Sequence, residues 1–179
     1  MFRRCSAIFL FAALVVAATV GGMAAASGED KSFVATDPPQ PVSPFRFEDD
    51  KGRSLDLKDF RGRYVLLNLW AITCAPCVTE MPALNELSKK LDRRLFAVIA
   101  LGEDRDGRDT VRLFYQRHGI DSLPVYDDPG GRAPFILHIR GLPTTLLVDP
   151  NGFEVARLEG AAEWANDAMV SFLEARTAR

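Results

Sequence analysis

Two cysteines three residues apart, set where a strand gives way to a helix, constrain this chain more than any other feature. Cys74-Ala75-Pro76-Cys77 follows the apolar run Tyr64-Val65-Leu66-Leu67-Asn68-Leu69 and the pair Trp70-Ala71. The run is bounded by Arg61-Gly62-Arg63 and reads as a buried strand. After Cys77, Leu84, Leu87 and Leu91 recur at i, i+3, i+7, so an amphipathic helix follows. The first N–H groups of a helix lack partners and its dipole is positive there. A thiolate at that position is stabilised, so the Cys74 thiol is expected to be more acidic than the free value of about 8.5. Cys77 lies one turn further in, where it can resolve a mixed disulfide. Pro76 suits the first turn, where its missing N–H costs nothing.

A structural staple is the competing reading. A bridge over so short a loop removes little chain entropy, roughly 2 kcal/mol against about 4.7 for a hundred-residue loop. A structural zinc site wants four Cys or His ligands. The chain has three cysteines and two histidines, and the only histidines are His118 and His138, far from the pair. Redox chemistry is the better reading, and no metal site is expected.

The N-terminus reads as a targeting segment over 1–26. Arg3 and Arg4 are its positive end, Ser6 to Ala26 is uncharged, and Ala24-Ala25-Ala26 supplies small residues for cleavage. The uncharged run is also long enough to span a bilayer, so it is either removed or kept as an anchor over 6–26. Both fates export the domain to the periplasm. Cys5 precedes the apolar run and is a bystander. Without Arg3 and Arg4, 20 basic residues face 24 acidic ones, a net charge of −4. No basic patch points to nucleic acid. The exported part holds only the Cys74/Cys77 pair, in a compartment where disulfides are the default state.

Residues 27–44 are rich in Pro, Ser, Asp and Gly and read as a semi-extended linker. A β-hairpin follows, Phe45-Arg46-Phe47-Glu48 and Arg53-Ser54-Leu55-Asp56-Leu57 around Gly52. Leu95-Phe96-Ala97-Val98-Ile99-Ala100-Leu101 is a second buried strand. Val111, Phe114, Tyr115 and His118 line one face of a helix. Ser122 to Tyr126 is a short strand, Asp127-Asp128-Pro129-Gly130-Gly131 a turn with solvated aspartates, and Ala133 to Ile139 a short helix. Thr144 to Leu158 is a hairpin with an Asn151-Gly152 turn, and Ala165, Met169, Phe172 and Leu173 mark a closing helix. Strands separated by helices predict an α/β domain over 45–179, with a central mixed sheet flanked by helices and an N-terminal β-hairpin extension.

With these residues read, the chain resembles a thioredoxin-fold protein of the TlpA-like group. Those are exported thiol–disulfide oxidoreductases that include cytochrome c maturation reductases. The resemblance rests on Trp70-Ala71, Cys74-Ala75-Pro76-Cys77, Glu80-Met81-Pro82 and Gly141-Leu142-Pro143-Thr144-Thr145. It implies a thioredoxin-like fold, a cis Leu142–Pro143 bond beside the cysteines, and a client surface of Trp70, Thr73, Ala75, Pro76, Leu142 and Pro143. Thr73 stands where the group commonly has Trp, so a flat aromatic wall is replaced by a hydroxyl. Ordinary thioredoxins carry an Asp where this chain has Asn68, which does not titrate. The resemblance places the acid instead at Glu103, after the second strand.

The expected catalytic set is therefore Cys74, Cys77 and Glu103. The only redox group is the Cys74–Cys77 disulfide, with no further cofactor. The implied activity is reduction of client proteins bearing Cys pairs, in cytochrome c or copper-site maturation, by a monomer fed by a membrane thiol donor. Two alternatives are a Cu(I)-binding module using the two thiolates, and a thiol peroxidase. Fusion of residues 1–40 to a reporter that works only outside the cytoplasm is expected to give an active reporter. Activity confined to a cytoplasm-only reporter sinks the export expectation.

Overall fold

A computed structural model describes residues 32–105 and 107–177. The expected targeting segment over 1–26 lies outside the described residues. No helix among the described residues is long and apolar enough to cross a membrane. In chain order come β1 (Val34–Pro41), β2 (Phe47–Asp49), β3 (Ser54–Leu55), a 3₁₀ turn (Leu57–Phe60), β4 (Tyr64–Trp70), α1 (Ala75–Lys90), β5 (Phe96–Gly102) and α2 (Gly107–His118). They are followed by β6 (Tyr126–Asp127), α3 (Ala133–Ile136), β7 (Thr144–Val148), β8 (Phe153–Glu159) and α4 (Asp167–Glu174). The strands form one sheet in the order β1-β8-β7-β4-β5-β6-β2-β3. β4 and β5 run parallel, with α1 as their crossover, and β7 lies antiparallel to β4. The sheet is therefore mixed, as the alternation of strands and helices predicts.

The strand period of two sorts side chains into two layers. Leu66, Trp70, Val98, Ala100 and Leu147 face one layer, built with Met81, Leu84 and Leu87 of α1, Val111 and Phe114 of α2, and Leu173 of α4. Val65, Leu67, Leu69, Ile99, Leu101 and Leu146 face the other, built with Phe45, Phe47, Phe60, Ala133 and Leu137. Burial on both faces explains why β4 and β5 read as near-continuous apolar runs.

Two readings of the sequence are corrected. The expected linker over 27–44 contains β1, which pairs antiparallel with β8. Its prolines are compatible with a strand because β1 is an edge, and because the register shifts between Ala35 and Gln40, where Asp37, Pro38 and Pro39 fall. Asp127 and Asp128 are not solvated: they are 2% and 4% exposed. β2 covers Asp127 through the Glu48–Asp127 pairing. Asp128 turns inward to accept the N–H groups of Gly130 and Ala133 at 3.2 and 2.6 Å. The hairpin of β2 and β3 forms as expected, with Gly52 at φ 72° and Asp49 accepting the N–H groups of Lys51 and Arg53.

Leu84 tests the packing beneath the cysteine helix. It is fully buried between α1 and the sheet. Leu84→Ala is expected to cost about 2–5 kcal/mol, read as a lower denaturant midpoint with unchanged slope. A loss under about 1 kcal/mol would show that the layer collapses freely around the cavity.

Candidate active site

The cysteine pair closes the gap between β4 and α1. Cys74 is the N-cap of α1, with extended backbone, and Cys77 is the third residue of the helix. The two are joined in a disulfide. Cys77 is fully buried and Cys74 half-buried, so a client reaches only the outer sulfur. The Cys77 N–H points at the Cys74 sulfur at 3.3 Å. An N–H at that place, in the positive field of the helix end, is suited to stabilise a thiolate on Cys74. The geometry thus leaves one sulfur accessible at a helix N-terminus and shelters the other beneath it.

The loop ahead of the pair is pinned from two sides. The Cys74 N–H donates to the Ala71 carbonyl at 3.1 Å. The Asp104 carboxylate accepts the Ile72 N–H, at 2.9 and 3.1 Å to its two oxygens. Asp104 reads in sequence as one charge of an acidic loop. Its actual task, closing an otherwise open N–H just before the cysteines, is set by the Trp70–Gly102 register, which brings the ends of β4 and β5 together.

Glu103 follows that same register. Its N–H donates to the Trp70 carbonyl at 2.9 Å. Both its carboxylate oxygens are buried and make no hydrogen bond among the described residues. Burial pushes its carboxyl up from the ordinary 4.5 to about 8, and the nearby Asp128 and Asp104 carboxylates add to the rise.

A second carboxyl lies one turn beyond Cys77, on the buried face of α1. Glu80 is 4% exposed. Its oxygens accept from Asn68 Nδ2 at 2.9 Å, Ala162 N–H at 3.0 Å and Trp164 Nε1 at 2.9 Å. Burial raises its carboxyl, and these three donors oppose the rise. Asn68 also donates to the Thr145 hydroxyl at 3.0 Å, so Glu80 ties α1 to β4, β7 and the loop after β8. The signal available in sequence was an acid three residues after Cys77, on a helix face otherwise filled by Met81, Leu84 and Leu87.

Leu142 and Pro143 lead into β7, whose Thr144 pairs with Leu69 of β4. That register sets Pro143 opposite the end of β4, where the cysteine loop begins. The Leu142–Pro143 bond is cis. Pro143 is buried, and its carbonyl accepts the Gly160 N–H at 2.8 Å. Leu142 is half-buried. Thr73, Ala75 and Pro76 are exposed around Cys74. One end of the sheet therefore gathers the cysteines, Thr73, Ala75, Pro76, Leu142, Pro143 and Glu103. Of the residues expected to touch a client, Pro143 and Trp70 are both buried, and Trp70 packs under α2. It is fully buried, with its ring 5.0 Å from Phe114 and stacked on Tyr115 at 6.0 Å. Its place at an even position of β4, with Leu66 and Asn68, turns it under α2 rather than toward solvent. No group of three or more His, Cys, Asp or Glu among the described residues is arranged to hold a metal.

A model of the AhpC/TSA family matches residues 38–156. The chain belongs to the AhpC/TSA family. Thiol-disulfide oxidoreductase ResA of Bacillus cereus is 34% identical over 135 residues, covering 75% of this chain and 74% of that protein. ResA of Halalkalibacterium halodurans is 34% identical over 108 residues, 60% of each chain. Among solved structures, a DsbF homologue from Corynebacterium diphtheriae is 25% identical with a TM-score of 0.63, covering 82% of this chain and 94% of that one. A thiol-disulfide oxidoreductase from Bacteroides fragilis is 26% identical with a TM-score of 0.64, covering 76% and 99%. This AhpC/TSA member has a thioredoxin-like fold and is a protein thiol–disulfide oxidoreductase.

The buried Glu103 of this AhpC/TSA member makes a prediction about stability. Its folded value lies above the unfolded one, so folding favours the protonated form. Its contribution is full below about pH 4.5 and is lost as pH rises toward about 8. Glu103→Gln mimics the neutral acid. In urea denaturation of the oxidised proteins, wild type is expected to lose stability relative to the variant between pH 5 and 8.5. Parallel pH profiles would show that Glu103 ionises in the folded protein as freely as in the unfolded chain.

Proposed function

We propose that this oxidoreductase works outside the cytoplasm as a reductase of disulfides in client proteins that carry Cys pairs, in cytochrome c or copper-site maturation. The observation that carries this reading is the asymmetry of the pair: a half-buried Cys74 at a helix N-terminus, joined to a fully buried Cys77. In the reduced protein the Cys74 thiolate attacks one sulfur of the client disulfide. The Cys74–client bond forms, the client S–S bond breaks, and the departing client sulfur takes a proton. Cys77 then gives up its proton and attacks Cys74 Sγ. The Cys74–Cys77 bond forms, the second client sulfur leaves, and two electrons have passed to the client.

The edge at Leu142 and Pro143 supports a place for the client backbone, because a proline lacks an N–H and leaves that edge without its own donor. Glu103 supports the proton transfers of Cys77, since burial brings its acidity near that of a thiol. The direction rests on the dipeptide Ala75-Pro76, which places no cation between the cysteines to favour the thiolate and make the pair oxidising. An exported reductant needs a thiol donor in the membrane to regenerate it. The uncharged run over 6–26 supports export, by cleavage or as an anchor.

Cys77→Ser is expected to trap clients as mixed disulfides on Cys74, and Cys74→Ser to trap none; equal trapping would refute the division of roles. The reduction potential is expected at roughly −220 to −270 mV, and one near the roughly −120 mV of a strong oxidant reverses the proposed direction. Glu103→Gln is expected to slow exchange and shift its pH profile. Superimposable profiles would reduce Glu103 to a passive buried acid.

A further inference from the structure

Phe135 is 86% exposed, more than the other exposed large apolar side chains among the described residues. A lone exposed apolar residue is ordinary. Phe135 differs in how it is held and where it stands. Its helix, α3, turns Ala133 into the core, and the C-cap residue Leu137 follows it there, at 0% and 5% exposure. Asp128 accepts the Ala133 N–H at 2.6 Å, the Ile139 N–H donates to the Pro134 carbonyl at 2.8 Å, and the Arg157 guanidinium donates to the Leu137 carbonyl at 3.1 Å. The ring is thus presented on a fixed backbone, and little ordering entropy remains to be lost on contact.

The segment that carries it runs directly into the edge at Leu142 and Pro143. Arg140 is three residues from Pro143, so its Cα lies within about 11 Å of that proline's. The Ile139 N–H bond to the Pro134 carbonyl ties α3 to a residue only four from Pro143, within about 15 Å of it. An extended client segment of about six residues, roughly 20 Å long, covers that span.

Charge selects the occupant. Arg132, His138 and Arg140 are all exposed in the segment around Phe135. Neither Arg132 nor Arg140 takes part in an ion pair among the described residues. This is a basic strip on a chain of net charge −2. Beyond Pro143 the sign reverses. Glu159 is exposed, its backbone pairs with Thr144, and the next residue, Gly160, bonds the Pro143 carbonyl. The edge at Pro143 therefore has a positive apolar flank and a negative one.

We infer that Phe135, with Arg132 and Arg140, is a docking surface that selects clients. It takes a disulfide-bearing segment with an apolar or aromatic residue flanked by Asp or Glu on one side of its cysteine. This rests on the client-reductase reading above. The aromatic ring supplies contact area at low entropy cost, and the arginines steer the acidic flank.

The test uses the reduced full-length protein and two synthetic peptides, each closed by an internal disulfide. One carries Phe flanked by Asp and Glu; the other carries Phe flanked by lysines. Glutathione disulfide is the reference oxidant. The acidic peptide is expected to be reduced about tenfold faster at low ionic strength, with the ratio falling toward one in high salt. The ratio is also expected to collapse in Arg132→Glu/Arg140→Glu. Pairing Phe135→Ala with replacement of the peptide Phe by Ala is expected to give non-additive losses. Equal rates for the two peptides, or a ratio that survives charge reversal, overturn the docking surface while the reductase reading stands. If glutathione disulfide and both peptides all stay oxidised, the reductase reading fails and the docking surface falls with it.

Discussion

The contact between the Cys77 N–H and the Cys74 sulfur depends on one constraint, that a strand buried on both faces ends where a helix begins. β4 has no freedom to slide, because each residue is paired with β5 on one side and five of its seven with β7 on the other. A shift of one residue would turn Asn68 and Trp70 into the opposite layer and expel Leu67 and Leu69 from theirs. The end of β4 is thereby fixed in space, and with it the start of α1. Cys77 then falls on the inner side of the helix, in the layer with Trp70 and Met81. The chemistry of the pair is a consequence of this packing. A sulfur that caps a helix is exposed to attack and held in a positive field, while its partner is shielded by the layer that positions it.

What was legible in the sequence follows from periodicity. β4, β5, α1, α2 and the final hairpin carry strong periods of two or 3.6 or long apolar runs, and all appear where the pattern puts them. The Cys pair was legible from its spacing and its place between strand and helix, and Pro143 only through the family resemblance. The rest depended on register, which the sequence does not display. β1 was hidden by its prolines, which argue against a strand unless it lies at an edge. Asp127 and Asp128 look like turn formers, and they are turn formers, but β2 folds over them and takes them out of water. The family resemblance implied Trp70 as a client contact; its parity along β4 sends it inward. Asp104 was one of several acids in a loop until the Trp70–Gly102 pairing brought it to Ile72.

Two buried carboxyls at this end of the sheet show how environment separates otherwise similar groups. Glu80 has three N–H donors, which satisfy its charge and make it a structural tie between α1, β4 and the loop after β8. Glu103 has no donor among the described residues and faces two other carboxylates, so its neutral form is favoured at pH 7. The pair follows a general pattern in which acids of one site are pushed apart into different tasks. The acid–base role proposed for Glu103 gains its physical sense here. A carboxyl at the ordinary 4.5 lies about four units below a free thiol, so taking the proton of a thiol would be uphill by about 5 kcal/mol. At about 8 the gap nearly closes, which is the condition the proposed transfer requires. The burial that makes Glu103 costly to the fold is also what brings its acidity close to that of a thiol.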